Sequence, residues 1–374
     1  MSSVRGRVLS IDGNVVLVHT PAGIIEVRVI GGDAFRAGDL IALKGGFARL
    51  LVASRAPDPT ATLRHVQDPR RLHGTAVRET LETGIRAHFG NRRFREVRTP
   101  VLVAKNATEP HIKPIAAGAR GYLQTSPELA MKRLLIGGLE RIFQIATVFR
   151  DEPDALTHRA EFSLLEWYRA WAGLEDIMTD VEELISGLAA KMFGRMELPG
   201  HIDVAPPWPR FSVRYLFAKH AGVDLATADL AAECRRLGIP DDPSDGWDER
   251  YFRIWLAAIE PALSERACFV TRYPASQAAL AVTTADPDGT LWAQRFEVYI
   301  GGLELANAFE ELIDADEQRR RFEAAAGVSG LPIDEDFLGA LAEGMPPSGG
   351  IALGVDRLAM LFAGERDIEY VRWF

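Results

Sequence analysis

Cysteine is almost missing from this chain. Of its 374 residues only Cys234 and Cys268 carry a thiol, and they lack the paired spacing of a disulfide framework or a zinc site. Both are expected to be buried, reduced and passive. No apolar run approaches the roughly 20 residues that span a bilayer, and the opening MSSVRGRVLS lacks the apolar core of a signal peptide. A cytoplasmic chain with no membrane role is therefore expected. A basic excess is lacking too. Lys and Arg number 43 against 52 Asp and Glu, a net charge of −9, so no bulk field draws the chain to nucleic acid. There is no internal repeat and no low-complexity tract. What is present, 47% hydrophobic and 25% charged residues, suits one large core and a small second domain.

Residues 1–56 are rich in Val, Ile and Leu and are broken by turn signals at Asp12-Gly13-Asn14, Pro21-Ala22-Gly23, Gly31-Gly32-Asp33 and Gly45-Gly46. Five short strands follow from that punctuation, forming a small β-barrel-like domain of the OB kind. It holds seven Lys and Arg against four Asp and Glu, about +3, which leaves about −12 for the remainder. A packing or interaction module is favoured there over a nucleic-acid role. Residues 57–66 read as a linker, because Pro57 and Pro59 discourage helix and central strand, and 67–374 as the catalytic domain. The pair Asp68-Pro69 opens a helix over 68–89 with Val77, Leu81 and Ile85 on one face. A strand over 94–99 stops at Pro100. Ser126-Pro127-Glu128 opens another helix, 141–150 and 161–171 read as two long antiparallel strands, and helices dominate 173–265. Strands near 295–299 and 303–312 precede the last helices. Antiparallel strands with clustered helices argue for α+β rather than a doubly wound sheet.

Side chains alternate along a strand, so Phe162, Leu164, Glu166 and Tyr168 share one face, as do Asn307, Phe309 and Glu311. Two such faces suit a pocket for a cation, although parity alone favours ordinary strands whose polar side meets water. Arg150 ends a strand before the loop 151–159, dense in groups that can meet phosphate or metal, which alone could be a solvated hairpin tip. Arg357 lies in a glycine-rich strand-to-helix junction, where Gly350 and Gly354 could simply mark tight packing.

In combination these segments say more. Phe94-Arg95-Glu96-Val97-Arg98-Thr99-Pro100, Phe149-Arg150-Asp151-Glu152 through Tyr168, and Gly350 through Arg357 resemble, in order, the three motifs of class II aminoacyl-tRNA synthetases. Thr125-Ser126-Pro127-Glu128, Glu166-Trp167-Tyr168, Phe296-Glu297-Val298-Tyr299 and Glu304-Leu305-Ala306-Asn307 resemble the lysyl branch. Tyr273-Pro274-Ala275-Ser276-Gln277-Ala278-Ala279-Leu280-Ala281 and Gly344-Met345-Pro346 are similar to the elongation factor P–lysine ligases, synthetase paralogues lacking the anticodon-binding domain. The likeness covers about residues 65–374, and the N-terminal β domain departs from the usual paralogue.

The resemblance implies the class II catalytic core, an antiparallel sheet flanked by helices, and an ATP-dependent, AMP-forming ligase. Phe162 would stack on adenine with Arg357 on its other face, and His158 and Glu152 would meet the phosphates and adenine region. Glu297 and Glu304 would hold Mg²⁺; strand parity sets them on opposite faces, so the turn at Gly301-Gly302 is expected to reorient one. Arg150 would bridge the substrate carboxylate and the α-phosphate. Arg150, Glu297 and Arg357 form the implied catalytic set. Glu128 and Glu166 would meet one ammonium of the amino acid and Glu311 with Tyr168 the other, with Asn307 near the carboxylate. Ala352 stands where the tRNA synthetase has glycine, which trims the pocket toward β-lysine over lysine. Arg159-Ala160 and Ala308 are further departures. Elongation factor P is the implied acceptor; tRNA, which the acidic balance disfavours, and a small molecule are the alternatives. A non-catalytic amino-acid sensor is the competing class, but Arg150, Glu152, Glu297, Glu304 and Arg357 are all present. The first motif implies a homodimer.

Overall fold

Alternation of Val, Leu and Ile with polar residues builds the first strands, β1 (Val4–Asp12), β2 (Val15–Thr20), β3 (Gly23–Arg28), β4 (Leu40–Lys44) and β5 (Phe47–Val52). They form an antiparallel sheet in the order β3-β2-β1-β4-β5, closed over Val8, Val16, Val18, Ile41 and Leu43. Its hydrogen bonds leave β3 and β5 as edges, as in a partly open barrel. The computed structural model describes residues 3–107, 112–264 and 266–374, the Asp33 side chain excepted. It divides into two compact units, residues 1–72 with Trp373, and 73–372 with Phe374. Residues 57–66 are not extended throughout: past Pro59 nothing opposes helix, and α1 (Ala61–Val66) forms.

In the second unit, Val77, Leu81, Ile85 and Phe89 recur at helical spacing on α2 (Pro69–Asn91) and are buried. The expected strand over 94–99 shrinks to β6 (Arg95–Glu96), since Thr99 donates its N–H to the Gln144 side chain and Pro100 has none to give. Then come β7 (Leu102–Val103) paired with β8 (Tyr122–Leu123), α3 (Glu128–Ile136), β9 (Arg141–Phe149) and β10 (Glu161–Ala170). The helical stretch expected over 173–265 begins with α4 (Leu174–Phe193) but is interrupted. The hairpin β11 (Glu197–Leu198) with β12 (Ile202–Asp203) and the strand β13 (Arg210–Ser212) precede α5 (Val213–Leu216), α6 (Leu230–Leu237) and α7 (Trp247–Ile254). The remainder is β14 (Cys268–Pro274), β15 (Thr283–Ala285), β16 (Leu291–Ile300), β17 (Leu303–Glu310), α8 (Ala315–Ser329), α9 (Glu335–Glu343), β18 (Ser348–Gly354) and α10 (Val355–Ala363).

The large sheet runs β13-β14-β16-β17-β18-β10-β9-β6, with β15 beside β16. Its neighbours are antiparallel except at the two ends, where β13 and β6 pair parallel. One face is a dry core. Leu165 and Trp167 of β10 meet the Ile177, Val181, Leu184 and Leu188 stripe of α4 and the α2 stripe, with Phe89 stacked on Phe143 at 4.8 Å. The opposite face carries a cavity.

Candidate active site

Register builds the cavity floor. Across β9, β10, β18, β17 and β16, one row reads Gln144, Glu166, Ala352, Asn307, Glu297, and the next reads Ile142, Tyr168, Gly350, Phe309, Arg295. The smallest residues stand in the middle, so the long polar side chains on either side face each other across a trough. A Cβ on Gly350 would lie 2.2 Å from Glu311 Oε1 and 2.3 Å from the Tyr168 ring, so only glycine fits there. Above the trough opens a cavity of about 770 Å³ whose lining includes Glu128, Glu166, Tyr168, Asn307, Glu311 and Ala352 at one end, and Arg150, Glu152, His158, Phe162, Glu304 and Arg357 toward the other. Both polar faces read from strand parity thus meet in one pocket.

The first end is acidic. Glu166, fully buried, accepts from Ser126 Oγ at 2.7 Å and Tyr168 OH at 3.1 Å. Burial, aided by the Glu128 charge, pushes its carboxyl up from 4.5 to about 8. Burial and the Glu166 charge hold the Tyr168 phenol well above its ordinary value, so it remains a donor. Between Glu128 and Glu311 lies a side chain that sequence reasoning passed over. Lys132, on α3 one turn after Glu128, places Nζ 2.7 Å from Glu128 Oε1 and 2.5 Å from Glu311 Oε2. Burial opposes its charge, but Glu128 and Glu311 outweigh burial and hold the ammonium above its ordinary range. The two acids expected to await substrate ammonium groups already share one. The i, i+4 spacing of Glu128 and Lys132 was the available signal.

Asn307 is oriented by another residue the sequence did not single out. Arg295 donates Nε to Asn307 Oδ1 at 2.9 Å and a second nitrogen to Glu297 Oε1, so the Asn307 amide nitrogen is the group left to face the cavity.

The other end gathers cations. Arg150 has a buried Nε with no partner among the described residues, and its guanidinium lies 5.2 Å from the Phe162 ring centre. His158 meets that ring edge-on at 5.4 Å. Burial, with Arg357 and Arg150 nearby and Glu152 opposing, holds the imidazole below its ordinary value. Arg357 donates to Thr157 O at 3.3 Å and Glu304 O at 2.7 Å. Its base, the β18–α10 junction, is pinned by Asp356, which accepts from Arg78 Nη1 and from the Ser163 N–H, both at 2.7 Å. In this arrangement Arg150 rather than Arg357 lies over Phe162.

Glu304 and Glu297 come to one face through the expected turn, which sets Glu304 opposite Tyr299, two residues from Glu297 on the same strand. Gly301 and Gly302 form a regular hairpin turn with Ile300 opposite Leu303. The register then slips: Tyr299 pairs Glu304 but Val298 pairs Ala306, leaving Leu305 as a bulge that brings Asn307, three residues on, to the face of Glu304. Glu304 opens to the cavity and is exposed there; the desolvating walls of the cavity and the Glu297 charge push its carboxyl up. Glu297 lies behind it, outside the cavity lining, and accepts from Tyr273 OH at 2.5 Å, Tyr299 OH at 2.9 Å and Arg295.

The unpartnered Arg150 Nε together with Arg357 and His158 fits a polyanion such as the ATP phosphates. Glu304 fits Mg²⁺, which keeps several waters and takes one or two carboxylates plus phosphate oxygens; Glu297 could join only where Arg295 releases it. No cluster of three or more His, Cys, Asp or Glu suited to hold a metal occurs among the described residues.

A sheet of this order with such motif residues defines a synthetase core, and residues 62–374 match the model of class II tRNA synthetases (D, K and N). The chain belongs to that family. It is 37% identical to a lysine–tRNA ligase of Pelotomaculum thermopropionicum over 80% of this chain and 63% of that relative. It is equally 37% identical to an elongation factor P–(R)-β-lysine ligase of Edwardsiella ictaluri, over 79% of this chain and 92% of the relative. A lysine–tRNA ligase of Xanthomonas oryzae pv. oryzae is 32% identical over 96% of this chain and 81% of its own. The chain spans less than two thirds of the length of the lysine–tRNA ligases of Pelotomaculum and Dehalococcoides.

Proposed function

We propose that the protein activates lysine or (R)-β-lysine with ATP and Mg²⁺ as an aminoacyl-adenylate and transfers it to a lysine side chain of elongation factor P. The observation that carries the reading is Arg150, a half-buried side chain whose buried Nε has no partner among the described residues, between an acidic pocket and a cationic one. The amino-acid carboxylate, ionised at neutral pH, attacks the α-phosphorus and pyrophosphate leaves. Arg150 stabilises the charge that builds on the pentacoordinate centre. The Asn307 amide nitrogen orients the carboxylate. Glu128, Glu166, Tyr168 and Glu311 receive the ammonium groups beside Ala352, Phe162 and Arg357 hold the base, His158 and Glu152 line the phosphate path, and Glu304 holds the metal with Glu297 behind it. In the second step an acceptor amine attacks the adenylate carbonyl carbon, loses a proton and expels AMP.

The near-complete coverage of the Edwardsiella relative supports a protein acceptor. The Xanthomonas alignment, which extends into the N-terminal unit, favours tRNA as the second reading. The proposal includes a homodimer through α2 and β6, checked by sedimentation. Incubation with ATP, Mg²⁺ and labelled lysine or β-lysine, offering elongation factor P or bulk tRNA, decides the acceptor: label on the factor supports the reading, and label on tRNA alone replaces it with the second.

A further inference from the structure

Lys132 stands at the centre of the acidic end, with its side chain 1% exposed. Its two carboxylate partners come from separate parts of the chain, Glu128 from the start of α3 and Glu311 from just beyond β17. Glu166 belongs to the same cluster through Ser126, whose Oγ donates to Glu166 and accepts from the Glu128 N–H. Once a ligand's ammonium displaces the proton that Glu166 favours in the free protein, the three carboxylates and one ammonium carry two negative charges, the balance needed by a ligand with two ammonium groups. Without Lys132 the count would be three, and Glu128 and Glu311 would repel each other across the place its ammonium fills.

We propose that Lys132 is a positioning residue of the amino-acid pocket. Its shared ammonium fixes the Glu128 and Glu311 carboxylates and sets the pocket's charge to suit a substrate with two ammonium groups. The inference rests on the amino-acid-activating reading above. A merely structural ion pair would affect folding and both substrates alike; a positioning residue acts on one.

Pyrophosphate exchange on the full chain tests it, with lysine, β-lysine and ATP varied separately. Lys132→Met is expected to raise the KM for the amino acid about tenfold or more while the KM for ATP stays within about twofold. An amino-acid KM within about twofold of the parent protein, or equal rises in both KM values, overturns the proposal. If Lys132→Met does not fold, Lys132→Arg carries the comparison, since it keeps the charge but not the shape. A several-fold rise confined to the amino acid supports the proposal, and unchanged or parallel KM values overturn it. A parent protein that exchanges no pyrophosphate with either isomer removes the amino-acid-activating reading and this inference with it, an outcome distinct from an active parent with an indifferent variant.

Discussion

Arg150 concentrates the chemistry at the residue scale, because its charge acts on Glu166 at the acidic end of the cavity and on His158 at the other. Arg150→Ala is expected to lower pyrophosphate exchange by about 10²–10³ with little change in melting temperature, the loss typical of a transition-state charge donor. Glu166 gives a prediction in pH. Its folded carboxyl, raised from 4.5 to about 8, favours the protonated form, so its stabilising effect is complete below about pH 4.5 and disappears as pH climbs through about 8. The groups around it are Glu128 and Arg150, with the hydroxyls of Ser126 and Tyr168. The free protein should therefore melt lower at pH 9 than at pH 6, and Glu166→Gln should flatten that difference; an unchanged pH slope counts against a protonated Glu166. Ala352 lies in register between Glu166 and Asn307, so its methyl faces whatever spans them. Ala352→Gly is expected to shift the ratio of exchange with β-lysine to that with lysine toward lysine, and an unchanged ratio removes Ala352 as the selector.

Among the elements, the hairpin of β16 and β17 shows where sequence pattern stops being enough. The strands, their polar faces and the Gly301-Gly302 turn that brings Glu304 to the face of Glu297 are readable from alternation and from glycine, yet parity along β17 sets Glu304 and Asn307 on opposite sides. The single-residue bulge at Leu305 reverses this, and nothing in Glu304-Leu305-Ala306 announces it, since a bulge depends on the partner strand's register. Likewise Lys132 was visible as an i, i+4 partner of Glu128, but its second partner, Glu311, is 179 positions away and only folding brings them together. Arg295 and Arg78 are the same kind of case, ordinary strand and helix residues in sequence that prove to orient Asn307 and Asp356. By contrast, Glu166, Tyr168, Phe162 and Asn307 were legible because strand alternation is local.

For the whole molecule, the class II core and its antiparallel sheet follow the pattern of the sequence, and the chain belongs to the family that pattern resembles. What the pattern could not supply is the linker's outcome as helix α1, the interruption of the long helical region by β11, β12 and β13, and the occupied state of the acids. These depend on contacts between distant residues rather than on periodicity. The central claim concerns the activation half-reaction, which needs no acceptor. Purified protein is incubated with ATP, Mg²⁺ and labelled pyrophosphate, with and without lysine or (R)-β-lysine. Label entering ATP only when one of these amino acids is present is the predicted result; no amino-acid-dependent label with either isomer contradicts it.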